Sequence, residues 1–453
     1  MKSSAQTPPA SSRNITALLL LLGTTSLALA TDYSSSVMLD AEASYNDNLR
    51  MSKTDKMAVQ HYVVRPLLRF NADTETTQFG LSSKLIFNHY DENQFDSNDQ
   101  DLVLDFQHQF ESSAVGLNAA LIRDSTITSE VLGSGRIDDT AERTQTYQVT
   151  PSYTYTLNET NQLALQATYN AREYDSDNYI GYKNTSAQLD WFHILSDRIK
   201  LILSGTYSDY RSDDRTTYVP GQILEVQTVN GPQLLPPTLF GQQTFYNRSK
   251  DKGLQIGAEY QWSEQSQLML RVGRSSNEQT YPIEDDPQRI CTDTLYLRLV
   301  ELGYEVGGVC DLEEDSNLTT VQLNWSWDSE RNSISVNSSK ATQPSSNGYS
   351  VDSTQLSAYW GFKLTERDLV SANVSAVRNR AIGDDAVQQN NSLADRDYQS
   401  ITMMYRHQFS TNWFVNGSYQ YSNQKYRDID FQSHSNVFTV GIRYQPQEWH
   451  WSR

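Results

Sequence analysis

Two cysteines in 453 residues, Cys291 and Cys310, are too few to hold a disulfide scaffold together. Breakers are also scarce, with 12 prolines and 21 glycines, so long regular elements are expected and low-complexity coil is not. Positive charge is short: 36 Lys and Arg stand against 55 Asp and Glu, for a net charge of −19. That balance disfavours a nucleic-acid partner, which needs a basic patch. Past the first thirty residues there is no long apolar run, and the mean hydropathy is −0.62. Several membrane helices of about 20 apolar residues each are thereby excluded.

What the chain has is aromatic and polar. Aromatics make up 11%, with 27 tyrosines, which a disordered chain would lack. The abundant Ser, Thr, Asn and Gln suit many β-strands with one wet face.

The first thirty residues read as an address. Lys2 and Arg13 give a positive start, Ile15 to Leu22 is apolar, and Leu27-Ala28-Leu29-Ala30 presents an Ala-x-Ala site. A secretory signal cleaved after Ala30 is expected. A membrane anchor is the alternative, but Gly23-Thr24-Thr25-Ser26 interrupts the apolar stretch. Cleavage would take the net charge from −19 to −21, since no acid precedes Thr31. The domain reading is 1–30 signal peptide and 31–453 one β-barrel.

The remainder keeps a period of two. In 254–262, Leu254, Ile256, Ala258, Tyr260 and Trp262 oppose Gln255, Gly257, Glu259 and Gln261. In 318–327, Val321, Leu323, Trp325 and Trp327 oppose Gln322, Asn324 and Ser326. Such alternation puts one class on each face of a strand. About ten residues, tilted, cross the hydrocarbon layer. Eighteen such segments are predicted, from 34–46 to 432–445; sixteen would also satisfy parity.

Connections alternate in length. Short ones begin at Phe110, Leu157, Leu195, Trp262, Trp327, Leu364 and Phe409 and pass through a few polar turn formers. Long acidic ones lie at 91–99, 126–142, 175–181, 212–247, 281–316 and 380–395. Short turns on one rim and long loops on the other characterise outer-membrane barrels. The fold expected is all-β: a single transmembrane antiparallel up-and-down barrel with short periplasmic turns and long extracellular loops. A periplasmic propeller or β-helix would need repeats of fixed length, and the spacing here is irregular. The first strand begins so near the cleavage site that a plug or passenger domain is not expected. Beyond Tyr444 lie two alternatives, a strand near 447–453, which Pro446 opposes, or a short tail.

Candidate chemistry is thin. Cys291 and Cys310 fall in one exterior loop, where an oxidising compartment favours a structural disulfide over a redox or metal pair. The seven histidines form no metal-binding pair within a short segment. A barrel hydrolase would need Ser, His and an orienting group on neighbouring strands, and nothing rises above chance pairing; the chain is expected not to be an enzyme and to carry no cofactor or metal. The acidic loops lack the spacing of a known calcium loop.

With apolar faces outward, the lumen is expected to receive Arg65, Arg69, Lys84, Arg172, Lys200, Arg271, Lys363, Arg378, Arg406 and Arg443. It also receives Asp40, Glu42, Asp105, Asp190 and Glu259. This basic-leaning interior would suit an anionic solute or polysaccharide; alternatively the charges pair and plug the lumen.

The mature start reads Ser36 through Tyr45-Asn46-Asp47-Asn48-Leu49. A first strand ending in Tyr-(Asn/Thr)-Asp-Asn-(Leu/Val) resembles outer-membrane barrels associated with exopolysaccharide and exosortase systems, the group called β-barrel porin type 2. The resemblance implies a barrel in the outer membrane, in contact with its lipid, that accompanies polysaccharide production; it brings no ligand residues. The functions expected are a passive channel or export conduit, or else a closed barrel whose loops anchor surface polymer.

Overall fold

The structure is a computed structural model. It describes residues 31–452 except 130–140, 177, 219–224, 229–230, 235–241, 285–308, 347, 349, 383–394 and 428–430. The signal region with Ala28 and Ala30 lies outside the described residues, as does Cys291, so neither the cleavage site nor the Cys291–Cys310 pair is placed.

Eighteen strands form the wall. They are β1 (Asp32–Asn46), β2 (Val59–Asp73), β3 (Thr77–Tyr90), β4 (Ser97–Gln109), β5 (Ser113–Ser125), β6 (Arg143–Asn158), β7 (Asn161–Tyr174), β8 (Tyr182–Ser196) and β9 (Ile199–Ser212). The second half comprises β10 (Arg248–Ser263), β11 (Ser266–Glu284), β12 (Val309–Asp328), β13 (Asn332–Pro344), β14 (Ser350–Lys363), β15 (Asp368–Ala381), β16 (Arg396–Gln408), β17 (Trp413–Tyr426) and β18 (Phe431–Tyr444). Each pairs antiparallel with its chain neighbour, and β18 returns to pair with β1 from Val437↔Asn46 to Tyr444↔Leu39. The ring is closed, so every wall strand has a neighbour on both sides. Closure matters because unpaired backbone groups in hydrocarbon cost several kcal/mol each.

The predicted strands match this wall closely; 350–363 and 413–426 are identical in both. One difference is large. β12 starts at Val309, inside the loop expected at 281–316, and pairs with β11 up to Val309↔Glu284. Its upper part, Glu313 to Asn317, is polar on both faces, so no period marks it. Within 213–247, two short ladders pair Arg215–Tyr218 with Gln242–Phe245 and Glu225–Thr228 with Gly231–Leu234.

The chain end is also a strand. Trp449–Ser452 (β19) pairs with Asp32 to Ser35 of β1. Residues 36–38 of β1 therefore face 445–448, one residue more, which is a β-bulge. Pro446 sits in it, where the missing N–H is tolerated. The objection that Pro446 raised to a strand beyond it thus fails. Trp451 stacks on Tyr33 at 5.6 Å and 13°.

The Tyr45 to Leu49 stretch fastens the other end of this seam. Asp47 Oδ1 accepts the Asn436 amide at 2.7 Å and Oδ2 accepts Asn436 Nδ2 at 2.7 Å. Asn48 is fully buried. It donates through Nδ2 to the Ser52 carbonyl at 2.9 Å and to the His434 carbonyl at 2.8 Å, and its Oδ1 accepts the Ser52 amide at 3.0 Å. The motif that suggested a family is thus a clamp between the first and last strands.

Candidate functional site: the lumen

Inside and outside are fixed by contacts that skip strands. Arg271 of β11 reaches Asp190 of β8, Nη1 to Oδ1 3.3 Å, and Ser204 of β9 at 3.4 Å. Gln255 of β10 donates to Thr320 of β12 at 3.0 Å. Side chains meet across intervening strands only on the concave side. The opposite positions carry exposed Leu, Ile, Val and aromatics, such as Leu254, Ile256, Met403, Phe438 and Val440. Phe110, Trp262 and Phe409 ring the short-turn rim and are exposed as well. A water-soluble barrel would bury this outer band; here it has only acyl chains to meet.

The chain is an outer-membrane β-barrel. Among the described residues no helix is long and apolar enough to cross a membrane; crossing falls to the strands. No family model and no curated protein matches the chain. Solved structures with similar folds include the ferric-catecholate import receptor Fiu of E. coli K12 in its open form, at 11% identity, TM-score 0.43, 90% of this chain and 81% of that one. OpdQ of Pseudomonas aeruginosa is similar at 8% identity, TM-score 0.40, 91% and 97%. OccAB3 of Acinetobacter baumannii follows at 7% identity, TM-score 0.41, 92% and 99%.

The lumenal charges are mostly paired. Arg65 Nη1 meets Glu42 at 2.6 Å, Lys84 meets Asp101 at 3.1 Å, Lys200 meets Glu259 at 3.1 Å, and Arg443 Nε meets Asp40 at 2.5 Å. With Arg271–Asp190, these make five pairs, four between neighbouring strands and one that reaches over two intervening strands. Arg172 donates to Thr146 at 3.0 Å. Asp105 accepts from Asn118 at 2.6 Å. The Arg406 guanidinium lies 5.8 Å from the Phe414 ring centre. Arg69 and Lys363 stand on inward positions.

Arg378 does not belong in the lumen. It shares its face with Val374, points outward, and bonds Asp397 at 3.0 Å. Apolar residues on both sides of 369–380, Leu369 and Val377 against Val370 and Val374, blurred its face in the sequence. Several inward groups went unrecognised, among them Asp99 and Asp251 on the inward positions of β4 and β10. Asp101, the partner of Lys84, lies four residues from Asp105 and shares its face, a parity the sequence does contain. Arg396 is 1% exposed and stacks over Tyr398 at 4.9 Å; its burial has no sequence signal.

Between the pairs the wall is amide and hydroxyl. A recess of 530 Å³ in the lower lumen is lined by Asn71, Asp105, Asn118, Thr150, Ser152 and Gln166, among others. Another, of 270 Å³, is lined by Gln322, Asn324, Asn337, Ser339, Gln355 and Ser375. Gly116 keeps the first recess open, because a Cβ there would lie 2.4 Å from Ser152 Oγ.

The extracellular mouth is narrowed from two sides. The β13–β14 tip leans inward: Thr342 donates to Asp251 of β10 at 3.1 Å, Tyr210 of β9 donates to the Ser345 carbonyl at 3.5 Å, and the Ile180 amide donates to the Ser346 carbonyl at 2.9 Å. Residue 180 precedes β8 and residue 346 precedes β14, so this contact spans the interior. Gly348, at φ +87°, gives the tip its turn. From the other side, Met51 in the β1–β2 loop packs on Val377 and Tyr398. The inward element is therefore the β13–β14 tip; of the long connections at 212–247 and 281–316, residues 219–224, 229–230, 235–241 and 285–308 lie outside the described residues.

Proposed function

We propose a passive outer-membrane channel for uncharged or weakly charged polar solutes, without catalytic chemistry. The observation that carries this is the lumen wall, where amide and hydroxyl rows alternate with charges that neutralise one another. An anionic cargo was attractive only while ten basic groups faced five acidic ones. Arg378 turns outward and Arg396 inward, while Asp99, Asp101 and Asp251 join the inward acids, which removes much of that excess. Polyhydroxylated solutes exchange hydrogen bonds with such a wall at little cost. A glycan has this chemistry, in keeping with the exopolysaccharide link suggested by the Tyr45 to Leu49 resemblance.

Single-channel recording of the purified barrel tests the reading. Stable current steps are expected in symmetric KCl, with cation and anion permeabilities within about threefold of each other, as paired wall charges require. Liposomes carrying the protein should swell in neutral disaccharide. Strong anion selectivity would refute the neutral lumen. The contact between Ile180 and Ser346 favours a second reading, a closed barrel whose loops hold surface polymer. Silence from the wild type, with currents after removal of 342–351, would establish that alternative.

A further inference from the structure

The outer face sorts its charges by height. Among the described residues, every Lys and Arg on an outward strand position lies at the extracellular end; those in the periplasmic half, such as Arg69, Lys363, Arg406 and Arg443, face inward. On β10 the outward row runs Trp262, Tyr260, Ala258, Ile256, Leu254, and the next residues are Lys252 and Lys250. On β11 the row Leu268, Leu270, Val272 is followed at once by Arg274, which sits opposite Leu254. All three cations are exposed. None forms an ion pair among the described residues. The acids beside them are Asp209 and Glu278, which flank Lys250 in the ladders. Asp209 is already held by Arg211, Nε to Oδ1 3.1 Å and Nη2 to Oδ2 2.9 Å.

A second group repeats the arrangement on β15–β17. Above the outward row of Val374, Ile401 and Tyr421 comes the row Ala376, Gln399 and Asn423, and above that Arg378, Asp397 and Lys425 side by side. Arg378, Arg380 and Arg427 surround Asp397 at 3.0, 2.7 and 3.4 Å, and Asp395 caps the Ala381 amide at 2.8 Å. Two residues along a strand is about 7 Å and four about 13 Å, so Lys252 and Arg274 border the apolar band and Lys250, Arg378 and Lys425 stand one row higher, all at headgroup depth. In a chain of net charge −19, solubility does not call for cations here. A cation bordering apolar wall belongs where fixed negative charge is present in the membrane.

We propose that this extracellular, lipid-facing rim binds the phosphate groups of anionic outer-leaflet lipid, with Lys250, Lys252 and Arg274 as the principal site. Acyl chains lie along Leu254 and Ile256, and the headgroup phosphate accepts from the ammonium and guanidinium groups just above. Arg binds phosphate oxygens in a two-pronged fashion and Lys as a point charge. The inference does not depend on whether the lumen conducts.

The test uses the full barrel in nanodiscs of phosphatidylcholine doped with phosphatidylglycerol as the anionic probe, with bound lipid counted by native mass spectrometry. Each cation near an anionic headgroup contributes about fivefold. The triple variant Lys250→Gln, Lys252→Gln, Arg274→Gln should therefore weaken retention on the order of a hundredfold, and added salt should weaken the wild type. Removing Arg198, Arg331 and Arg367 from the periplasmic turns takes away equal charge and should change nothing. Lys250→Arg with Lys252→Arg should retain the lipid, which separates charge from folding. Equal retention by the triple variant, or equal loss in both sets, overturns the proposal. So does displacement of the lipid by an equal concentration of inorganic phosphate, which would make it a free-anion site. A lipid-free dimer joined through these cations would overturn it too.

Discussion

Replacing Asn48 by alanine should loosen the barrel where its first and last strands meet. The side chain is fully buried and makes three hydrogen bonds, two to carbonyls and one from an amide. One partner, the His434 carbonyl, belongs to β18. Alanine supplies none of these and leaves three backbone groups in a site that a methyl does not fill. At roughly 1 kcal/mol net each, and more where the orphaned group stays dry, the loss is about 3 kcal/mol. If the seam opens before the rest, unfolding accelerates by about two orders of magnitude. The assay is the decay of the compact, fast-migrating species on gels after heating in detergent. Gln399→Ala, exposed on the outer wall of β16, should decay at the wild-type rate. Asn48→Asp should be no better than alanine, because a carboxylate would face the two carbonyl oxygens. Decay of Asn48→Ala within twofold of wild type would refute the clamp.

Other perturbations probe the lumen and loops. Arg271→Ala strands Asp190 in a site where the two side chains are 8% and 11% exposed, and should cost about 3–5 kcal/mol in denaturant titration. Arg271→Met with Asp190→Leu should recover most of that loss, so an equally unstable double variant would contradict the assignment. Gly348→Val places a Cβ 2.7 Å from Ile180 Cδ1 at a φ of +87°; the tip must retreat, and single-channel steps should grow, whereas unchanged steps would show that the tip does not restrict the path. At Asp96, burial pushes the carboxyl up, but the Tyr90 amide at 2.7 Å and the His89 ring at 3.0 Å outweigh it and hold the group below the usual range. A depressed native value stabilises above the unfolded value of about 3.9 and is lost only as pH falls through the native one. Protection of the Tyr90 amide from hydrogen exchange should persist to below pH ~4; its loss between about pH 6 and 5 would reverse the sign.

The wall was legible because lipid imposes a period of two on any strand that touches it. Where that constraint ends, so does the signal. Glu313 to Asn317 continue β12 above the apolar band, with water on both faces and no alternation to mark them. The inward tip at 341–352 was hidden for a different reason: its contacts, Thr342 to Asp251 and Ser346 to Ile180, join residues far apart in sequence, and local pattern carries no information about them. The Tyr45 to Leu49 stretch was visible as a motif, yet its role was not, because the partner strand lies at the other end of the chain. Arg378 shows the limit of face assignment where a segment has aliphatic residues on both sides.

Net charge proves a poor guide to what this barrel admits or touches. The sequence is strongly acidic, yet the groups that meet solute and lipid do not follow the total. In the lumen, cations and carboxylates sit within salt-bridge distance, so their fields cancel over a few ångströms and a passing ion meets dipoles more than monopoles. On the outer wall cations collect at the extracellular edge of the apolar band, some held by carboxylates such as Asp397 and Asp209, others, Lys250, Lys252 and Arg274, in no ion pair among the described residues. The excess of acid must then reside mostly in connections and rims, where water screens it. Selectivity and lipid affinity are thus set by two separate populations of the same residue types. It follows that charge-neutral swaps between them, such as exchanging Lys252 with the lumenal Ser357 (Lys252→Ser with Ser357→Lys), should alter lipid retention and ion selectivity together while leaving the isoelectric point unchanged; a swap that altered neither would show that long-range field, and not position, governs both.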